Sequence, residues 1–420
     1  MRQRSWVSWL NRRAMPVAER NHKMASSVSR HHRRFDIDWL RVVAVLLLIP
    51  FHTARIFDIW EPFYAKNAET SAALSYSVIA LLNPWHMPLL FLLAGASTWF
   101  ALDFRSGRQY AKERFTRLLI PLLFGMLVVV PPQGYYALLT QGQPPESFAS
   151  FLATYFALDF GDLSGYFGKF TPGHLWFILF LFVYSLAGLP LFNLLKGEAG
   201  RRLVARLAVF AARPGLIFLF AIPLALAGAL PGIGGKALFS YFALFLLGFV
   251  LMADKRFQQS IDRHRLAALA LGLVTMTARV SLQGAAAHLE PFSAAGIGFL
   301  LLKSFNTWCW LVVLLGYGHR RLNVSNGFLR YAGEASYPFY ILHQTVIVAI
   351  GYYVVQWEMS IAAKFSLICV ASFIGTLAGY EVIKRFNLTR WLFGMKPLPR
   401  PARSVAGASD PLALQIGAES

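Results

Sequence analysis

Two side chains in the apolar stretch 36–57, DIDWLRVVAVLLLIPFHTARIF, can do chemistry that their neighbours cannot. His52 brings an imidazole, ordinarily half-protonated at about pH 6.5, whose neutral nitrogen can take a proton from an attacking hydroxyl or carry an acyl group as a covalent relay. Arg41 brings a permanent charge and a rigid fork of donors, suited to a phosphate or to a thioester carbonyl gaining charge. Eleven residues separate them, which on a helix is about 16 Å along the axis and about 20° around it. Both side chains should therefore point the same way. The spacing alone equally fits a snorkelling arginine and an interfacial histidine.

Other candidates sit in similar surroundings. His343, in YILHQ, falls in the middle of an apolar run. Ionisable groups there are costly and usually face a protein interior or a water-filled cavity. His86 stands between Pro84 and Pro88 in NPWHMP, where a broken helix can line a cavity. It can orient a donor or an acceptor, or be a satisfied core histidine. His174 and Trp176 open another apolar run. The indole can stack on a sugar while the imidazole positions a hydroxyl, or both can belong to an interfacial aromatic belt.

Arg114 and Arg117, with Lys112 beside them, form a basic cluster suited to phosphates or simply to orientation in a membrane. Arg105 and Arg108 read as orientation charges, and Glu334 and Glu381 as structural ones. No metal-ligand spacing, glycine-rich phosphate loop or G-x-S-x-G elbow occurs. Cys309 and Cys369 both lie in apolar runs and suggest no disulfide framework.

The elements that must hold these residues follow from composition. Of the 420 residues 56% are hydrophobic and 14% charged, too little charge to cover a soluble surface of this length. Spans of about 20 apolar residues are expected instead. Ten can be placed, near 37–57, 74–102, 117–139, 174–195, 214–230, 237–253, 265–282, 295–316, 332–355 and 361–384. The second should kink or split at Pro84 and Pro88.

The net charge of +20 is spread over short loops, alternate ones being basic. That is the pattern of membrane orientation and not of a nucleic-acid surface, and it places both termini in the cytoplasm. The fold expected is all-α: a basic cytoplasmic segment 1–35, a ten-helix membrane domain 36–390 and a disordered cytoplasmic tail 391–420. The N-terminal segment lacks the apolar core of a cleavable signal, so the first span should direct insertion. The loop 141–173 is rich in aromatics and carries Asp159 and Asp162, which suits carbohydrate or an aromatic belt.

The arginine–ten residues–histidine pattern of Arg41 and His52 resembles the first span of the membrane enzymes called acyltransferase family 3. Further fragments resemble that family in the expected order: MPLLFLLAG at 87–95, with Ala94 where serine is common, KERFTRLLIPLL at 112–123, GHLWFILFLFVY at 173–184 and ASYPFYILHQ at 335–344. The resemblance spans about 35–385 and leans toward a branch that succinylates periplasmic glucans. It implies a bacterial inner-membrane enzyme that moves an acyl group from cytoplasmic acyl-CoA, as acetyl-CoA or succinyl-CoA, to a hydroxyl of an extracytoplasmic carbohydrate.

On that resemblance His52, Arg41 and His343 are the catalytic candidates, Lys112, Arg114 and Arg117 would hold the CoA phosphates, and His86, His174 and Trp176 would meet substrate. The lipid bilayer is the other expected partner; no metal, resident cofactor or nucleic acid is expected. A transporter or flippase also suits ten spans, broken helices and buried histidines. Against it, the two halves show no matching pair of interrupted segments.

Overall fold

The computed structural model describes residues 34–157, 164–286 and 288–399. The basic residues 1–33, the loop residues Asp159 and Asp162, and the tail 400–420 lie outside the described residues. Regular structure among the described residues is helical, and the one pairing of extended residues is a bridge between Ile233 and Lys236. Helix starts are marked by side chains that accept backbone N–H groups left free at an N-terminus. Ser106, Asp254, Ser293, Asn326 and Ser360 all do this, and Ser106 completes a capping box with Gln109.

The chain begins with α1 (Phe35–Leu46) and α2 (Leu48–Arg55), jointed at Leu47. Pro50 explains the joint, because it has no N–H for the Leu46 carbonyl. The expected split of the second apolar run is present. A π-helical stretch, Ser75–Ala80, ends near a turn at 83–85, after which α3 (His86–Phe104) starts. Next come α4 (Gly107–Arg114), π-helical turns at Phe115–Leu119 and Gly125–Val129, and α5 (Pro131–Thr140).

The pair α6 (Trp176–Ala187) and α7 (Leu189–Lys196) bends by 50°. After α8 (Glu198–Ala212) and α9 (Ala221–Gly228), α10 (Leu238–Met252) and α11 (Lys255–Ser281) meet at 107°. The last elements are α12 (Ala294–Arg321), α13 (Gly327–Val354), α14 (Ile361–Ile383) and the short α15 (Asn387–Leu392).

All ten apolar runs of the sequence lie on helix. By length and composition, five helical stretches can cross a membrane, or seven if each bent pair is one span. Seven is three short of ten because Leu216–Gly228 is short, the apolar run of α13 is interrupted by His343, Gln344 and Thr345, and the bent pair of α10 and α11 counts two expected spans as one.

Buried apolar side chains gather in two clusters, one around α3, α10, α11 and α12, the other around α13, α14 and the 118–137 region. The first span belongs to both: Ile37, Leu40 and Ala44 pack into one, Val45, Leu48 and Ile49 into the other. Within the first cluster α3 and α10 cross with their backbones in contact. A Cβ on Gly95 would lie 1.8 Å from the Phe245 carbonyl oxygen, and one on Gly248 would lie 1.9 Å from that of Leu92. Only glycine permits so close a crossing, the usual device for joining helices in lipid. Gly95 closes the MPLLFLLAG fragment, so its role there is to let α10 in.

Candidate active site

His52 lies near the end of α2, between the two clusters, and faces α13. Its ring is 5.2 Å from that of His343, at 46°. Phe51 meets His52 edge-on at 5.2 Å, and Phe63 stacks on it at 6.0 Å and 19°. His343 is fully buried, whereas His52 is partly exposed. The Nδ1–H of His343 donates to the Tyr340 carbonyl at 2.6 Å, which leaves Nε2 as a lone pair. That Nε2 and the Nδ1 of His52 are both buried without a hydrogen-bond partner. An orphaned buried polar atom costs about 1–3 kcal/mol, so such atoms mark where a polar ligand is stabilised.

The third imidazole is held in one tautomer. His174 Nε2 donates to the Ile341 carbonyl at 2.9 Å, so Nδ1 must accept, and Gln133 Nε2 donates to it at 3.2 Å. The second N–H of that amide goes to Thr345 Oγ1 at 2.7 Å, whose hydroxyl donates to the Val129 carbonyl at 2.7 Å. The Gln133 oxygen accepts from Gln344 Nε2 at 2.8 Å. Every polar atom of the Gln133 amide is thereby used. The His174 ring stands perpendicular to His343 at 5.1 Å, and Tyr340 donates to the His174 carbonyl. With both nitrogens engaged, His174 braces His343 and has no nitrogen left for a substrate hydroxyl.

The loop after α2 folds over His52 and is pinned by an ion pair. Buried Arg55 donates to buried Asp58 at 2.6 Å and to Glu61 at 2.5 Å. Asp58 also accepts from Ser75 Oγ and from the Trp60 backbone N–H, both at 3.1 Å. Lys66 donates to the carbonyls of Asp58 and Glu61, at 2.5 and 2.9 Å. Burial pulls its ammonium below the ordinary lysine pKa, against the opposing charge of Asp58. Phe57, Phe63 and Tyr64 of this segment are buried, Phe63 against the histidine and Tyr64 edge-on to Phe63.

The remaining sequence candidates are distributed around this centre. Arg41 turns to α3, donating to Ser97 Oγ at 2.7 Å and pairing with Asp38 at 3.3 Å. It thus meets a different helix from His52. A serine three residues beyond Ala94 supplies its hydroxyl partner. His86 is buried and donates from Nε2 to the Ala44 carbonyl at 2.6 Å, tying α3 to α1, with its ring 5.8 Å from Phe51. That is the core-histidine alternative.

Trp176 packs against Phe91, Phe180 and Tyr241, and the Lys236 ammonium sits 5.4 Å over its ring. One aromatic face is therefore already covered.

The basic cluster divides. Lys112 is exposed and, with Arg105, Gln109 and Glu113, lines an open surface cavity of about 460 Å³. Arg105 is paired with Glu113 at 2.8 Å. Arg114 turns inward, its guanidinium 4.3 Å over the Tyr110 ring, and its Nε is buried without a partner. The Tyr337 hydroxyl, electrostatically coupled to Arg114, is equally unpartnered. Arg117 lies within a π-helical turn, Phe115–Leu119, that begins directly after Arg114. Such turns recur at functional sites.

Sequence reasoning passed over Gln133, Gln344, Thr345, Tyr340, Arg55, Asp58 and Ser97. Only Arg55 and Asp58 carried a usable signal, as opposite charges at i,i+3 beginning one turn after His52. Among the described residues no group of three His, Cys, Asp or Glu side chains could hold a metal ion.

The acyltransferase domain family matches residues 34–381. Curated proteins named glucans biosynthesis protein C, from Salmonella typhimurium, Salmonella agona and Salmonella dublin, are each 23% identical over 396 residues. Those alignments cover 89% of this chain and 98% of the relatives. No solved structure matches the chain.

Proposed function

The chain belongs to the acyltransferase 3 family and is a membrane O-acyltransferase, and from that premise we propose that it transfers an acetyl or succinyl group from cytoplasmic acyl-CoA to a hydroxyl of an extracytoplasmic carbohydrate, such as a periplasmic glucan. The observation that carries the reading is the pair of facing imidazoles, His52 and His343, each with a buried unpartnered nitrogen. The glucan enters the proposal through the name of the relatives. The proposed setting is a bacterial inner membrane crossed ten times, with both termini in the cytoplasm.

In this reading the acceptor hydroxyl gives its proton to the free nitrogen of His52 while its oxygen attacks the thioester carbon. The tetrahedral oxyanion collapses, the carbon–sulfur bond breaks, and the thiolate of CoA leaves with the proton returned by the imidazolium. His343, fixed by its bond to Tyr340, offers Nε2 as an acceptor that orients the hydroxyl or the His52 ring. Arg41 and Arg114 serve the donor's phosphates from the other end of the span. A relay variant uses the same pair, with the acyl group resting first on His52.

The test is turnover in nanodiscs with radiolabelled acyl-CoA, with and without a glucan acceptor, for wild type and His52→Ala. Labelled glucan from wild type alone supports the assignment, and label on the protein when acceptor is withheld selects the relay. If wild type neither binds nor consumes acyl-CoA, the reading is lost. Glucan crossing the bilayer unmodified would make the chain a transporter.

A further inference from the structure

Helix α8 (Glu198–Ala212) takes no part in the chemistry above. Its 15 residues, about 22 Å long, are too few to cross about 30 Å of hydrocarbon. Both of its ends rest on one face of the helical array. α3 and α10 run parallel, because Phe91 meets Tyr241 at 4.8 Å and Trp99 meets Phe249 at 5.0 Å. The end of α3 and the start of α11, which follows α10 directly, therefore lie on the same side. Just before α8, Lys196 pairs with Asp103, near the end of α3, at 2.6 Å. At its far end, Ser260 in the second turn of α11 donates to the Ala211 carbonyl at 2.6 Å, and the Gly215 N–H donates to His264 Nε2 at 3.0 Å. The helix thus runs along this face and not through the array. Its level is the edge of the hydrocarbon: the stretch of α11 that meets it reads KRFQQSIDRHR, and the apolar run starts only at Leu266.

Around the helix, at about 100° per residue, three stripes follow one another. Gly200, Val204, Ala208 and Ala211 are buried against the protein. About 90° round lie Leu203, Leu207 and Phe210, which are 50%, 36% and 37% exposed. About 90° further lie Arg202 and Arg206, both exposed. Arg202 pairs with the exposed Glu198 at 3.1 Å, while among the described residues Arg206 makes no hydrogen bond or ion pair. Arg201, on the side away from the apolar stripe, donates to the Lys196 carbonyl at 3.0 Å. With Arg213 following, residues 198–213 hold four arginines and one glutamate. A helix in the plane of a membrane needs this order: protein at one flank, acyl chains beneath, phosphates at the other flank.

We propose that α8 is an in-plane docking surface for anionic phospholipid, with Leu203, Leu207 and Phe210 set among the acyl chains and Arg202 and Arg206 against the headgroup phosphates. Taking three large apolar side chains out of water favours immersion, and each arginine adds attraction to a negatively charged leaflet. The surface is separate from the acyl-transfer centre and does not depend on the proposed activity.

The full chain in phosphatidylcholine nanodiscs, with a fluorophore attached through Leu207→Cys on a Cys369→Ser background, tests it; Cys309 is buried. Trace phosphatidylglycerol or phosphatidylcholine carrying an acyl-chain nitroxide should quench the fluorophore, and aqueous iodide should quench it only weakly. At equal content the phosphatidylglycerol should quench roughly threefold or more strongly, given two arginines at a membrane surface. The Arg202→Gln/Arg206→Gln variant should lose the difference between the lipids, and the charge-keeping Arg202→Lys/Arg206→Lys variant should retain it. Quenching by iodide and by neither lipid would leave the stripe facing water, open to a soluble partner, and overturns the proposal. Equal quenching by both lipids with the arginines in place, or an unchanged difference in the glutamine variant, defeats the anionic assignment. The lipid comparison with the arginines in place stands even if the glutamine variant does not fold.

Discussion

The rings of His52 and His343 lie 5.2 Å apart although 291 positions separate them in the chain, and they belong to α2 and α13, which pack directly against each other. A pair this close acts as a unit. His343→Gln keeps most of the volume but removes the imidazole Nε2. It should lower turnover by roughly a hundredfold or more while donor affinity stays within about twofold. His52→Ala should be at least as severe, and the double variant no worse than the single ones. Additive losses would mean the two imidazoles act independently.

Gln133 is expected to behave as a keystone of the His174 brace. Gln133→Leu orphans His174 Nδ1 and Gln344 Nε2 and takes one of the two partners of Thr345, whereas Thr345→Val leaves the His174 contact intact. The first should cost about 1–3 kcal/mol or more, read as a melting point several degrees lower, and should also slow turnover. The second should cost clearly less. Equal melting points for the two variants would refute the hierarchy.

The clasp over His52 invites a double-mutant cycle. Arg55→Met leaves Asp58 buried without its counter-charge, at a cost of about 3–5 kcal/mol, and Asp58→Leu, which leaves Arg55 its pair with the exposed Glu61, should cost less. The combined variant should regain much of that stability, because two apolar groups replace two charges. Thermal melting of the four purified proteins decides, and a strictly additive cycle contradicts the pairing.

Arg114 and Lys112 should differ although they are two residues apart. Arg114→Gln removes an inward guanidinium with an unpartnered Nε, and the acyl-CoA concentration for half-maximal turnover should rise roughly tenfold. Lys112→Gln removes an exposed rim charge, and the same measurement should move less than about twofold. Identical shifts would return both residues to a role in orientation.

The helical class and the centre around His52 and His343 were legible because ionisable residues inside apolar runs stand out against the cost of placing them there. The split at Pro84 was readable for the same kind of local reason, whereas the role of Gly95 shows only where α10 crosses it. Gln133 was not. An uncharged amide in an apolar run has no spacing signal, and its partners His174 and Gln344 are 41 and 211 residues away. Arg55 and Asp58 drew no reading in the sequence, and only the fold shows them buried and paired. Arg114 and Arg117 looked like one cluster because helical periodicity assumes an α-helix, and the π-helical turn breaks that count. Trp176 was correctly placed at a helix start, but only its packing shows that Lys236 occupies a face left open for a sugar.

The Arg55–Asp58 clasp also bears on a reaction the enzyme must avoid. An acyl donor poised beside a basic imidazole is open to hydrolysis, and water is the commonest hydroxyl near any membrane surface. Phe57, Phe63 and Tyr64 are buried on the segment that ion pair pins, and Phe63 covers one face of the His52 ring. In the proposed reaction, selectivity for a sugar hydroxyl over water would rest partly on a loop that carries no reacting group, and loosening it should turn transfer toward thioester hydrolysis.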